Sequence, residues 1–142
     1  MCDIRTWMAG QSKFTAVYSK PFWRNHGLSG DRVSHIGPLS EIHDASPENE
    51  SRGALFGFIG WPAQQRQALG NELIAQALSQ LGQMFGPKAA HPLQVSLQDW
   101  AADPLTATVA DLEQKAQPQS SSVTELDHLW QGRIMFASAE TA

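Results

Sequence analysis

The chain has 142 residues, of which 42% are apolar and 17% charged, and its formal net charge is −4. This length and composition favour a single globular domain, and the lack of any basic cluster argues against nucleic acid or an anionic membrane as the main partner. No apolar run approaches the roughly 20 residues that span a bilayer, and the only cysteine is Cys2, so an intrachain disulfide is excluded and a cytoplasmic location is expected.

The first part of the chain predicts strands. Ser12–Tyr18 alternates along its length, which places Lys13 and Phe14 on opposite faces of a strand. A Gly-Pro pair then separates two further short segments of strand character, residues 32–36 and residues 39–43.

The middle of the chain predicts a buried strand followed by a helix. Residues 54–60 are apolar throughout, which favours a central strand covered on both faces. Residues 63–85 carry the clearest helical pattern, with apolar side chains recurring every four residues on one face and glutamines, including Gln80, on the other. Gly86 and Pro87 are expected to end this single long helix.

The last part of the chain predicts two more strands with a linker between them. Residues 93–98 alternate like a half-buried strand, residues 116–124 have the composition of a flexible linker, and residues 133–137 form a final strand. The element order predicts an α+β fold, a largely antiparallel mixed sheet of about five or six strands with one long helix packed on it. Residues 1–115 are expected to hold the sheet and helix, and residues 125–142 the C-terminal strand segment.

Other chemistries have little support in the sequence. His35 and His43 could face each other across a hairpin beside Asp44 and bind a metal, but they lack a tight ligand spacing and are more typical of surface strand residues. No metal is therefore predicted. Cys2 has no histidine partner in a nucleophile motif, and no nucleophile elbow or phosphate-binding loop occurs.

Five motifs, in order along the chain, resemble the flavin-containing amine oxidases of the monoamine oxidase type. They are Trp-Met-Ala-Gly-Gln-Ser-Lys at residues 7–13, Tyr-Ser-Lys-Pro-Phe-Trp-Arg at residues 18–24, Gly-Phe-Ile at residues 57–59, Asp-Trp at residues 99–100 and Phe-Ala-Ser-Ala-Glu-Thr-Ala at residues 136–142. The resemblance covers only the C-terminal part of the substrate domain, about a third of a full-length oxidase. It implies FAD as the cofactor of the complete enzyme.

The resemblance also implies roles for individual residues. Lys13 matches the family lysine that holds a water against the flavin N5, where a cation suits amine oxidation because negative charge develops on the flavin. Trp100 matches a tryptophan that packs beside the isoalloxazine, and Glu140 and Thr141 match a turn that contacts the cofactor. These cofactor contacts require that FAD be supplied, since the chain shows no G-x-G-x-x-G fingerprint for the pyrophosphate.

One departure from the family bears on the cofactor contacts. The family has Gly-Thr where this chain has Ser138 and Ala139, and the serine side chain would crowd a backbone that approaches the cofactor.

Three functional hypotheses follow from the sequence. The first is a truncated amine oxidase lobe without autonomous oxidase activity, and its variant is one subunit of a split enzyme whose partner chain binds FAD. The third is a stand-alone oligomeric binding or assembly module. Cut free of its neighbours in the family fold, such a module would expose sheet edges and apolar faces, which predicts a homodimer or larger homo-oligomer.

Overall fold

A computed structural model of the chain describes residues 8–112 and residue 133. Its strands are β1 (Ser12–Tyr18), β2 (Arg32–Val33), β3 (Leu39–Asp44), β4 (Gly53–Ile59) and β5 (Gln94–Asp99). They form one five-stranded sheet in the order β2-β3-β4-β1-β5, and every neighbouring pair is antiparallel. The sheet and its helices confirm the predicted α+β class, with β1 near the centre and β5 at an edge.

The single long helix that the sequence predicts is in fact two helices. They are α1 (Ala63–Leu69) and α2 (Asn71–Phe85), and a short helix α3 (Val109–Leu112) follows β5. The break falls at Gly70, whose φ of 52° and ψ of −123° lie far from helical values. Only glycine adopts such a backbone readily, so one residue ends α1 and starts α2 within an otherwise continuous apolar stripe.

The core lies between one face of the sheet and α2. The alternation predicted for β1 is confirmed, since Phe14, Ala16 and Tyr18 are buried and the intervening residues are half-buried. Each large apolar side chain buried here stabilises the fold by about 1.5–3 kcal/mol. The other core side chains come from β3, β4 and α2, namely Leu39, Ile42, Leu55, Ile59, Leu73, Ala77, Leu81 and Phe85.

Gln80 does not lie on the polar face of α2, where the sequence places it. Its side chain is buried, its amide nitrogen donates to the carbonyls of Ile36 and Leu39, and its Oε1 accepts from the Leu39 amide at 2.8 Å. These bonds satisfy backbone groups at the start of β3 that would otherwise be buried without partners. The strand predicted for residues 32–36 is shorter in the structure and spans only Arg32–Val33. A turn closed by hydrogen bonds between Ser34 and Ile36 follows it.

The far face of β4 is more open than predicted. Ala54, Phe56 and Phe58 are half-buried there, whereas the sequence predicts cover on both faces. Gly57 lies close to the backbone of β3, since an added Cβ would be 2.6 Å from the carbonyl oxygen of Glu41. Within residues 8–112, the sheet therefore offers a half-exposed face on the side opposite α2.

Two predicted segments, the linker at 116–124 and the strand at 133–137, fall outside the described residues apart from residue 133. Among the residues that are described, no helix is long and apolar enough to cross a membrane.

Candidate functional site

Lys13 lies on the half-exposed face of the sheet, near the start of β1. Its cross-strand neighbours are Phe58 on β4 and Gln98 on β5. Its ammonium nitrogen is 4.1 Å from the centroid of the Phe56 ring, a cation–π contact. Within residues 8–112 no carboxylate forms a salt bridge with Lys13. The cation is thus oriented by an aromatic ring and is not neutralised by an acid in this part of the chain.

Aromatic rings extend this face across β4 to β3. The rings of Phe56 and Phe58 meet edge to face with centroids 6.0 Å apart, and the His43 ring lies 5.2 Å from that of Phe56. Because side chains two residues apart share a face of a strand, Phe56 and Phe58 both point to the side of Lys13. The result is a cluster of two phenyl rings with the Lys13 ammonium on one side and the His43 ring on the other.

The two histidines considered as metal ligands do not face each other. His35 is exposed and lies beyond the end of β2, whereas the His43 ring approaches Asp31 at 3.3 Å and Glu41 at 3.8 Å. Across the residues with described placement, no group of three or more potential ligands could hold a metal ion.

Trp100 begins a 3-10 turn, Trp100–Ala102, directly after β5. Its side chain is half-buried, and its backbone amide donates to the carbonyl of Gln11 at 3.1 Å, which joins it to the residue before β1. Asp99 caps the turn by accepting from the Ala101 amide. Trp100 is therefore fixed at the same end of the sheet as Lys13, which is two residues beyond Gln11.

Arg66 is a buried residue at this end of the sheet that the sequence did not reveal. Its guanidinium grips both carboxylate oxygens of Asp99 at 2.8 and 2.6 Å, and it also donates to the carbonyls of Gly10 and Trp61. The Arg66 side chain is 2% exposed. The sequence offered one signal: Arg66 lies three residues after Ala63, on the buried face of α1. A charged side chain at such a position is expected to have a paired partner.

A second polar cluster lies at the opposite end of β1. Asp44 accepts from the indole nitrogen of Trp23 at 2.9 Å and from Arg24 at 2.8 Å, and Arg24 also reaches Glu50. Burial alone would raise the pKa of the Asp44 carboxyl, but hydrogen bonds from Ser46, Trp23 and Arg24 outweigh it and hold the pKa below its usual value. Close by, burial raises the pKa of the Tyr18 phenol, which donates to the Ala89 carbonyl.

An open cavity of about 530 Å³ lies at this second end. Basic side chains are present in its wall and acidic ones are not; it is lined by Tyr18, Ser19, Lys20, Phe22, Asn25, Pro87, Lys88, His91 and Leu93. It is separate from the Lys13 face, because Lys13 and Tyr18 lie near opposite ends of β1 and point to opposite faces.

Of the four residues assigned to a flavin site, the structure brings two to one end of the sheet and leaves two undescribed. Lys13 and Trp100 share that end, whereas Glu140 and Thr141 lie outside the described residues. The side chains around Lys13 suit the ring end of FAD chemically, since aromatic side chains can pack against a planar ring system and an ammonium can stabilise negative charge that develops on it. The pyrophosphate end finds no glycine fingerprint among the 142 residues.

Comparison with known proteins agrees with the resemblance found in the sequence. The family model for flavin-containing amine oxidoreductases matches residues 4–142. A Mycobacterium tuberculosis protein named flavin-containing monoamine oxidase AofH is 32% identical over 146 residues, which is 96% of this chain and 30% of that protein. The putrescine oxidase of Kocuria rosea is 31% identical over 103 residues, 66% of this chain and 20% of that protein. The chain thus spans about a third or less of the length of these curated relatives.

The fold agrees with solved structures of such proteins. A putrescine oxidase bound to putrescine superposes with a TM-score of 0.59 at 29% identity, over 71% of this chain and 24% of that one. The cyclohexylamine oxidase of Brevibacterium oxydans gives a TM-score of 0.58 at 28% identity, over 66% of this chain and 21% of the other. The matched family model, the aligned relatives and the shared fold together show that the chain belongs to the flavin-containing amine oxidoreductase family.

Proposed function

We propose that this chain forms part of the substrate-binding lobe of an FAD-dependent amine oxidoreductase, in which Lys13 faces the reactive edge of the flavin. The observation that carries the proposal is the position of Lys13 on an open sheet face, beside Phe56 and without an acidic partner in residues 8–112. Membership of the family over residues 4–142 supports this assignment.

Each residue of the face would have a distinct task. The Lys13 ammonium would stabilise negative charge that develops on a neighbouring ring system and hold a water by hydrogen bonding. Phe56 and Phe58 would exclude bulk water from that contact, which strengthens the charge interaction. Trp100 would supply an aromatic wall at the same end of the sheet. When bound, FAD would accept the hydride that leaves the amine carbon.

The grip on the FAD pyrophosphate is assigned to residues other than these 142, in a longer polypeptide or in a partner chain. A pyrophosphate is held by backbone amides at a helix N-terminus after a glycine-rich turn, a motif that the sequence lacks. Glu140 and Thr141 would add contacts to the cofactor by resemblance to the family. The 142 residues alone are therefore expected not to oxidise amines.

The first test is direct. The 142-residue chain is purified, mixed with FAD and assayed with a panel of amines. We expect colourless protein that neither retains FAD nor reduces it. A yellow chain that turns over an amine without other protein would contradict the assignment of the pyrophosphate grip.

The second test asks whether Lys13 acts in the complete assembly. The protein is isolated from its native cells, either as part of a longer chain or together with a partner chain. Bound flavin is then measured by its absorbance. We expect Lys13→Met to slow flavin reduction by amine about 100-fold, as loss of a group that stabilises developing charge does. Lys20→Met is the matched control, because Lys20 lies beyond the far end of β1 and its ammonium hydrogen-bonds only to the Glu50 carbonyl among described partners. Equal rates for the two variants would remove Lys13 from the reaction.

The competing function is a stand-alone homo-oligomeric module. It is favoured by β5, which within the described sheet has one neighbour, β1, and leaves its other edge free for another strand. This alternative predicts a flavin-free homodimer or larger homo-oligomer from native cells. Light scattering at micromolar concentration, read together with the flavin absorbance, separates the two functions.

A further inference from the structure

Arg66 joins three segments that are far apart in the sequence. From α1 it reaches Gly10 before β1, the Trp61 carbonyl before the helix, and Asp99 at the end of β5. Each of these bonds is 2.6–3.0 Å long, and two of them form a fork on one carboxylate. A planar guanidinium held by several acceptors at once has little freedom to move.

We propose that Arg66 is a positioning residue that fixes Lys13 and Trp100 relative to each other at one end of the sheet. The effect of Arg66 on flavin chemistry rests on the proposed function. Its effect on the relative positions of Lys13 and Trp100 does not. Arg66 holds one end of each of the two strands that carry or precede those residues.

The coupling to Lys13 runs through the start of β1. Arg66 Nη2 donates to the carbonyl of Gly10, three residues before Lys13, at 3.0 Å. The first pair of the β1–β5 ladder is Ser12 with Asp99, and the next is Lys13 with Gln98. Release of Gly10 and Asp99 would free both strands at the pairs that set the height of Lys13 on the sheet.

The coupling to Trp100 runs through Asp99. Its Oδ1 accepts from Arg66 at 2.6 Å and from the amide of Ala101 at 3.2 Å, so one carboxylate oxygen serves both the ion pair and the cap of the 3-10 turn. Without Arg66 the partly buried carboxylate would turn toward solvent or toward other donors, and the cap would be lost. The Trp100 side chain would then change its direction.

The test compares two arginines in the full 142-residue chain. Arg66→Met removes the proposed link, whereas Arg24→Met removes an arginine that also pairs with carboxylates but lies at the other end of β1. Both proteins are labelled with 5-fluorotryptophan, and the Trp100 and Trp23 resonances are assigned with Trp100→Phe and Trp23→Phe. Amide hydrogen exchange is measured in the same samples.

We expect Arg66→Met to shift the Trp100 resonance and to speed amide exchange at residues 11–13 by about fivefold to thirtyfold more than in β2, β3 and β4, while the Trp23 resonance stays in place. Arg24→Met should shift the Trp23 resonance and leave both the Trp100 resonance and the exchange at residues 11–13 unchanged. Arg66→Lys, which keeps a charge but not the fork, should restore part of the protection and serves if the methionine variant fails to fold. Uniformly faster exchange across all five strands, with no specific change at Trp100, would make Arg66 a general stabilising residue and overturn the proposal.

A second readout uses the flavin-carrying protein from native cells. Arg66→Met should slow flavin reduction about 100-fold at unchanged flavin content, as a displacement of about 1 Å in a reacting group does, and Arg24→Met should leave the rate unchanged. An unchanged rate in Arg66→Met would overturn the catalytic importance of the link. If native material carries no flavin while the fluorine and exchange results hold, the proposed function fails and the positioning role of Arg66 stands.

Discussion

The two ends of β1 are built from the same chemical parts and differ in burial. At the start of the strand Arg66 pairs with Asp99, and the two side chains are 2% and 16% exposed. At its end Arg24 pairs with Asp44, and there the arginine is 33% and the aspartate 8% exposed. Both pairs join segments distant in sequence, but only the first encloses its guanidinium.

The difference teaches where charge pairs matter to this fold. Removal of Arg66 takes the donor away from two backbone carbonyls as well as from the Asp99 carboxylate, whereas Asp44 keeps hydrogen bonds from Trp23 and Ser46 when Arg24 is removed. The end that carries Lys13 and Trp100 therefore has the more rigid attachment. The other end instead relies on packing among Tyr18, Phe22 and Trp23, whose rings meet edge to face at 5.1–5.6 Å.

The largest expected effect is from Arg66→Met. Removal of one partner from the buried pair should lower the free energy of unfolding by about 3–5 kcal/mol, measured by urea denaturation. Arg24→Met should cost much less, since the Arg24 guanidinium is partly solvated and Asp44 keeps its hydrogen bonds from Trp23 and Ser46.

The double variant Arg66→Met with Asp99→Asn checks the cause. It should recover part of the loss because it removes the stranded carboxylate. If the double variant were as unstable as the sum of the single variants, the buried charge would not be the reason, and the contrast between the two ends of β1 would fail.

A smaller effect is expected at the other end from Asp44→Asn. The neutral amide keeps the shape but weakens the bonds from Trp23 and Arg24, which should cost about 1–3 kcal/mol. The effect should depend on pH. Because hydrogen bonds hold the pKa of Asp44 below its usual value, its contribution is complete above an unfolded-state pKa of about 3.9 and is lost as the pH falls through the lower folded-state pKa.

Urea denaturation of both proteins between pH 7 and pH 2 tests this sign. The gap in stability between the original chain and Asp44→Asn should narrow as the medium becomes acidic. A gap that stayed constant or widened would show that the Asp44 charge does not contribute to the stability of this end.

Sequence patterns predicted the strands of the sheet better than the polar side chains that join the sheet to the helices. The alternation of β1 gave its bounds and correctly placed Lys13 opposite the core, because the period of a strand depends on neighbouring residues alone. The family motifs pointed to Lys13 and to Trp100, and the structure brings the two to one end of the sheet. Their contact with a flavin stays a prediction.

The polar residues that fasten the sheet were not predictable in the same way. Apart from the Trp61 carbonyl, Arg66 finds its partners 33–56 residues away, and Gln80 finds its partners 41–44 residues away, so no local pattern distinguishes them from solvated residues on a helix. Gln80 was placed on the polar face because glutamine is usually exposed. Its burial follows from the unpaired backbone at Leu39, which becomes visible only when β3 is next to α2.

The helix break shows a second limit of periodicity. The apolar stripe runs through Gly70 without a change of phase, so the pattern alone cannot separate α1 from α2.

Gly70→Ala tests whether the backbone conformation of Gly70 causes the break. No atom lies within 4 Å of an added Cβ, so any loss of stability comes from conformation and not from a clash. We expect about 1 kcal/mol of destabilisation at a positive φ, and a stabilised protein would show that the two helices can merge. This break follows Arg66 by one turn, so a merged helix should also disturb the Arg66–Asp99 pair.

The smallest effect is expected at Ser12, where β1 meets Asp99. The Ser12 side chain is fully buried, and its hydroxyl has no hydrogen-bond partner among the described residues, although the charged pair is on the neighbouring strand end. Replacement by alanine removes a buried polar group that gains nothing from burial, so the free energy of unfolding should stay within about 0.5 kcal/mol of its original value or rise. Ser12 and Arg66 both meet Asp99, and Ser12→Ala is expected to change the free energy of unfolding little whereas Arg66→Met lowers it strongly. A loss of several kcal/mol in Ser12→Ala would mean that its hydroxyl has a partner, and the rigidity of this end could then no longer be assigned to Arg66 alone.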